Sequence, residues 1–221
     1  MKSILFDYGG TLDSDGTTWL ERFHAIYKEE GIEAPAERFD RAFYDADDAL
    51  ADRFRLKGLS LEQTLRLQVD CVIKNLAPEK EACAPKIVES FLADCRSHFK
   101  RNRPMLERLR QRYRLGIVSN FYGNLQGILA SEDLLGLFST VADSGVLGVQ
   151  KPEPAIFHHA LKELGAAPVD CVMVGDSLPR DMRGAEGLKM RHAFLAPPSC
   201  PACCAQAMRL GALTELEGLL S

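Results

Sequence analysis

Near its start the chain reads Ser3-Ile4-Leu5-Phe6-Asp7-Tyr8-Gly9-Gly10-Thr11-Leu12. A continuous apolar run meets a single carboxylate and then two glycines. Apolar residues in succession, not in alternation, fit a central strand of a parallel sheet, buried on both faces. Paired glycines end such a strand in a tight turn. The first strand therefore delivers Asp7 at its carboxyl end. In open sheets of parallel strands that edge is where ligands bind.

Beyond Asp15 the pattern becomes helical. Trp19, Phe23, Ile26 and Tyr27 share one helical face, as do Phe39, Phe43, Ala46, Leu50 and Phe54. Ser60 with Gln63 reads as a capping box ahead of Leu61, Leu65, Val69, Val72 and Ile73. Val88, Phe91, Leu92, Cys95 and Phe99 make a fourth stripe. Each stripe is the apolar face of a helix packed against its neighbours. After Pro104, strands at 115–118, 141, 171–174 and 192–195 alternate with helices, and a last helix is expected over Ala205–Leu220. Alternating strands and helices argue an α/β fold with a doubly wound parallel sheet. The expected division is a core of residues 1–14 and 103–221 with an inserted all-helical cap of residues 15–102.

A chain of 221 residues, 46% hydrophobic and 26% charged, has an ordinary globular composition. A net charge of -4 implies no general affinity for nucleic acid or anionic membrane. No apolar run is long enough to span a bilayer, and the N-terminal run is too brief for a signal peptide. A cytoplasmic protein is expected. The seven cysteines are odd in number, which argues against a disulfide framework. Cys200, Cys203 and Cys204 resemble half of a zinc site, without a second pair of ligands at suitable spacing.

Four strand ends carry polar groups: Asp7 to Thr11, Ser119-Asn120, Lys151-Pro152, and Gly175-Asp176-Ser177 followed by Asp181. If they converge on one edge, carboxylates, hydroxyls and an ammonium group meet. Asp7 and Asp176 would repel each other without a cation between them, and oxygen ligands of this kind suit magnesium. Lys151, Ser119 and Thr11 can neutralise or hydrogen-bond an anionic oxygen. Backbone amides after Gly9-Gly10 can turn toward the same anion. The set reads as a cradle for a phosphoryl group.

In order and spacing, Phe6-Asp7-Tyr8-Gly9-Gly10-Thr11-Leu12, Val118-Ser119-Asn120, Lys151-Pro152-Glu153-Pro154 and Val174-Gly175-Asp176-Ser177 with Asp181 resemble the four signatures of the haloacid dehalogenase superfamily. The helical insert resembles that superfamily's cap. The resemblance implies an Mg²⁺-dependent hydrolase of a small phosphorylated metabolite. In that reading Asp7 attacks phosphorus to form an aspartyl-phosphate. Asp7, the carbonyl of Gly9 and Asp176 hold the metal. Gly10, Thr11, Ser119, Asn120 and Lys151 contact the phosphate. Asp181 orients Lys151 or a metal-bound water.

One departure matters. Most phosphatases of the superfamily have a second Asp two residues after the nucleophile, where this chain has Gly9. General acid–base catalysis contributes about 10²–10⁴-fold. Four readings stay open. A phosphatase could use water, Asp13 or Asp15 in place of that acid. A relative of phosphonoacetaldehyde hydrolase would need a cap lysine, for which Lys57 stands available. A 2-haloacid dehalogenase usually has Tyr at the place of Gly9, whereas the tyrosine here is Tyr8. A catalytically silent phosphate binder would need no nucleophile. Residues 14–50 hold ten acidic and four basic side chains, and residues 51–102 hold seven and ten. Arg53, Arg55 and Lys57 in the second segment are the expected substrate contacts.

Overall fold

The computed structural model describes residues 2–197, 200 and 207–220. Its six strands are β1 (Ser3–Phe6), β2 (Arg114–Ser119), β3 (Thr140–Asp143), β4 (Cys171–Gly175), β5 (Arg191–Leu195) and β6 (Met208–Leu210). They form one sheet in the order β3-β2-β1-β4-β5-β6, with every neighbouring pair parallel. β1 lies between β2 and β4, so the direction of winding reverses there, the place where such sheets open a crevice.

The apolar run of β1 is buried on both faces for a visible reason. Ile4 and Phe6 belong to one buried cluster with Met105, Leu106 and Leu109, while Leu5 belongs to another with Val118, Phe157 and Met173. The helices of the insert are α1 (Trp19–Glu29), α2 (Ala36–Arg53), α3 (Leu61–Leu76) and α4 (Ala84–Leu109). Crossovers in the core carry α5 (Leu125–Ser131), α6 (Ser144–Leu147), α7 (Pro154–Leu164) and α8 (Arg183–Gly187), and α9 (Leu216–Leu219) follows β6. The class is therefore α/β, a doubly wound parallel sheet with an inserted all-helical cap.

Local chemistry sets the cap helices. Thr18 caps α1 reciprocally with Glu21, and Ser60 caps α3 with Gln63. The apolar stripes of all four helices merge into one buried cluster that continues onto the sheet. α4 has 26 residues, about 39 Å at 1.5 Å per residue. It runs unbroken through residues 102 and 103, so the stripe ending at Phe99 and the residues just after Pro104 share one helix. Asn102 ties it to the loop after β1 by donating to the Leu12 carbonyl at 3.1 Å.

The helix expected over Ala205–Leu220 is corrected. Met208–Leu210 is a sixth strand, paired with β5, and among the described residues of that range only Leu216–Leu219 is α-helical. Gly211 and Gly218 weaken a continuous helix, and Leu210 instead fills the core at the sheet edge. Among the described residues no helix is long and apolar enough to cross a membrane.

Candidate active site

The end of β1 presents Asp7, 5% exposed, at the crevice. Three donors converge on its Oδ1: the Tyr8 N–H at 2.7 Å, the Ser119 hydroxyl at 2.7 Å and Lys151 Nζ at 2.8 Å. Among the described residues none falls on Oδ2. Ser119 is the last residue of β2, one strand over. Lys151 is 2% exposed, and its Nζ also donates to Asp181 Oδ1 at 2.6 Å. Asn120 fixes its backbone, accepting from the Lys151 N–H at 2.7 Å and donating to its carbonyl at 3.1 Å. Burial alone would lower the Lys151 pKa, but Asp181 and Asp7 outweigh it and hold the ammonium charged.

Asp176 lies just beyond β4. Its Oδ1 accepts from the Thr11 hydroxyl at 2.8 Å. Burial, then Asp7 and Asp181, push its carboxyl well above the usual range. Ligand atoms of Asp7, Asp176 and Asp181 lie within 4.8 Å of one another. One lysine faces three carboxylates, a deficit of positive charge that a divalent cation with oxygen ligands would fill. Asp181 is the member already used: Lys151 holds Oδ1, and the Ser177 N–H donates to Oδ2 at 3.0 Å.

Two expected phosphate contacts face elsewhere. The Gly10 N–H donates to Asp13 Oδ1 at 2.7 Å, and the Thr11 hydroxyl is taken by Asp176. Both bonds fix the loop from within instead of opening toward a ligand. Gly10 has φ +85°, and a Cβ there would lie 2.5 Å from Asp176 Oδ2, so glycine lets the loop pass the carboxylate.

Asp7, Gly9, Ser119, Asn120, Lys151 and Asp176 line one cavity of about 180 Å³. Its other walls were not foreseen: Trp19, Phe43, Tyr44 and Asp47 from the cap, and Phe121, Tyr122 and Arg180 from the core. The indole of Trp19 covers Gly9, where an added Cβ would lie 3.3 Å from its Nε1. Arg53 and Arg55 are exposed and line neither this cavity nor a second one of about 690 Å³, whose lining includes Lys57. The cap therefore meets the site through the start of α1 and the middle of α2, not through the basic loop after α2.

The structure also bears on the alternatives. Tyr8 is fully buried against Phe99 and Phe121, and it does not line the Asp7 cavity. Lys57 is absent from that cavity. Asp13 is consumed by Gly10, by Trp19 Nε1 at 2.6 Å and by Arg22 at 3.0 Å. Asp15 is held by Arg101 at 2.7 Å and accepts from the Leu213 N–H at 3.0 Å. Cys200 is a free thiol, while Cys203 and Cys204 lie outside the described residues.

Comparisons with known proteins give the family. Residues 1–188 match the family model of the haloacid dehalogenase-like hydrolases. The haloacid dehalogenase-like hydrolase domain-containing protein 3 of Mus musculus is 29% identical over 212 residues, 91% of this chain and 84% of that protein. A phosphoserine phosphatase of Thermus thermophilus is 34% identical over 123 residues, 54% of this chain and 48% of that one. The crystal structure of a phosphatase of the same superfamily from Thermococcus onnurineus aligns with 100% of this chain and 98% of its own, at TM-score 0.62 and 25% identity. The chain belongs to the haloacid dehalogenase-like hydrolases.

Proposed function

We propose that the protein is a Mg²⁺-dependent phosphohydrolase that cleaves a small phosphorylated metabolite through an aspartyl-phosphate on Asp7. One observation carries this reading. Asp7 Oδ1 is pinned by three donors, so Oδ2 is the atom left free to act, in a cavity shared with Ser119 and Lys151. Phosphoryl transfer depends on such positioning and on charge placed where the transferring oxygens sit. Lys151 and Ser119 neutralise and orient those oxygens, and Asn120 holds Lys151 in register. Asp7, Asp176 and the Gly9 carbonyl would hold the Mg²⁺, which when bound screens the carboxylates from the incoming anion. Asp181 keeps Lys151 charged and aimed.

The cavity is small, which favours a compact substrate. Relatives named as phosphatases support phosphate over halide or phosphonate chemistry. The buried Tyr8 and the absence of Lys57 from the cavity support the same choice. A cytoplasmic working place is part of the proposal, resting on the free thiols of Cys71, Cys83, Cys95, Cys171 and Cys200.

The test is a screen of the protein with Mg²⁺ against phosphomonoesters, acyl phosphates, phosphonoacetaldehyde and 2-haloacids. Phosphate release from the first two classes is expected. Aldehyde or halide release in their place overturns the reading. Silence on every compound with tight binding of one would make the protein a binder.

A further inference from the structure

A leaving alkoxide needs a proton, and the loop after β1 has no side chain at residue 9 to supply one. The acids that follow are committed, Asp13 to Gly10, Trp19 and Arg22, and Asp15 to Arg101 and Leu213. Three carboxylates line the cavity. Asp7 and Asp176 have the roles proposed above. The third is Asp47, which α2 of the cap carries into the cavity wall. Two side-chain donors bind it, the Tyr122 hydroxyl and Gln68 Nε2, the latter at 2.9 Å, and both fall on Oδ1. Oδ2 has no partner among the described residues.

The geometry points to Asp47 as the general acid of the reaction, a cap-borne carboxyl that protonates the leaving oxygen in place of the missing core acid. The inference rests on the phosphohydrolase reading. In the first half-reaction an oxygen of Asp7 bonds to phosphorus. The bond from phosphorus to the leaving oxygen breaks, its electron pair stays on that oxygen, and the oxygen takes the proton from Asp47 Oδ2. The products are the aspartyl-phosphate, a neutral alcohol and the Asp47 carboxylate. In the second half-reaction Asp47 takes a proton from water as the water oxygen bonds to phosphorus. The bond from phosphorus to Asp7 breaks, its pair returns to Asp7, and Asp47 is protonated again.

The surroundings suit this cycle. Burial, with Asp48 adding to it, pushes the Asp47 carboxyl up to about 6, while the Tyr122 hydrogen bond and the Arg180 charge pull it down. Those are the titratable and charged groups that face it: Tyr122 and Arg180 from the core and Asp48 on α2, with α3 supplying the neutral Gln68. An acid that titrates near the working pH can both give and recover a proton.

The test compares leaving groups in single turnover with Mg²⁺. Asp47→Asn is expected to slow alcohol release from glycerol phosphate about 10²–10³-fold and acetate release from acetyl phosphate less than about threefold, because acetate departs without a proton. Asp47→Glu should recover part of the first rate. Equal slowing of both substrates, or unchanged release of glycerol, overturns the inference while leaving a phosphohydrolase. A wild type silent on both removes the phosphohydrolase reading and this inference with it. The metal-free protein gives a second readout. The carboxyl ¹³C signal that disappears in Asp47→Asn should titrate near pH 6, and Tyr122→Phe should move its midpoint upward. An ordinary carboxylate midpoint overturns the assignment.

Discussion

Replacing Asp47 by Asn should stabilise the protein at pH 8 and leave it nearly unchanged at pH 4. The carboxyl rises from 3.8 in an exposed chain to about 6 in the fold. A carboxylic acid whose folded pKa lies above its unfolded value binds its proton more tightly when folded. At pH 4 the side chain is neutral in the fold and about half ionised in the unfolded chain, so only a fraction of a kcal/mol is lost, and below that pH less. Between about pH 4 and 6 the unfolded chain ionises while the folded one resists, so stability falls as pH rises through that window. Above it the deficit is constant. Each pK unit corresponds to about 1.4 kcal/mol, which gives about 3 kcal/mol as a ceiling and about 2 kcal/mol after allowing for the partial exposure of the side chain. The amide keeps an oxygen to accept from Tyr122 and Gln68, so the substitution removes the charge and preserves the hydrogen bonds. Urea denaturation of both proteins with EDTA, at pH 4, 6 and 8, measures the difference. A stabilisation that does not grow with pH, or a variant weaker than wild type at pH 8, refutes the reasoning. The stabilising change would also be the one that slows alkyl ester turnover, as expected where a functional group is held against its preferred state.

Other outcomes follow from the same geometry. Asp7→Asn should abolish phosphate release without lowering the melting temperature, since the amide is similar in shape but a poor nucleophile, and retained turnover would remove Asp7 from its role. Mg²⁺ at 100-fold its dissociation constant should raise stability by about 2.7 kcal/mol by mass action, and Asp176→Asn should abolish that gain in a thermal shift assay. Gly9→Asp should lower stability by about 1–3 kcal/mol, because its Cβ meets the Trp19 indole; an unchanged melting curve would show that the indole moves freely. Arg22→Met should cost about 3–5 kcal/mol in urea denaturation, because Asp13 is fully buried and loses its charged partner.

Much of the fold was legible because its signals are local. The apolar run at residues 4–6, the capping residues of α1 and α3 and the alternation after Pro104 each report on neighbours in sequence. The strand ends were legible because a parallel sheet gathers them on one edge, and Asp7, Ser119, Lys151, Asp176 and Asp181 meet there. β6 was missed because three residues bounded by Gly211 carry too little pattern to be told from a helix turn. The contact of Arg53, Arg55 and Lys57 with substrate was inferred from charge alone, which says nothing of which way a loop faces. The bonds that the Gly10 N–H and the Thr11 hydroxyl make to Asp13 and Asp176 carry no sequence signal, since a donor's partner is fixed only when the loop around it closes.

Asp47 does carry a signal in the sequence. It stands four residues after Phe43 and three before Leu50, on the apolar stripe of α2, where a charged residue needs a reason. Gly9 and Trp19 carry the same lesson in complementary form. The absence of a side chain at residue 9 looks like a loss when read alone. In the fold, the indole of Trp19 fills that space and donates to Asp13, and Asp13 in turn holds the Gly10 N–H and Arg22 of the cap. The space an acid at residue 9 would enter is thus occupied by the aromatic group that ties α1 to the loop after β1. With that place filled, a proton donor reaches this cavity more readily from the cap side. There Asp47 is the one described carboxylate lining the cavity that neither the nucleophile nor the proposed metal site uses.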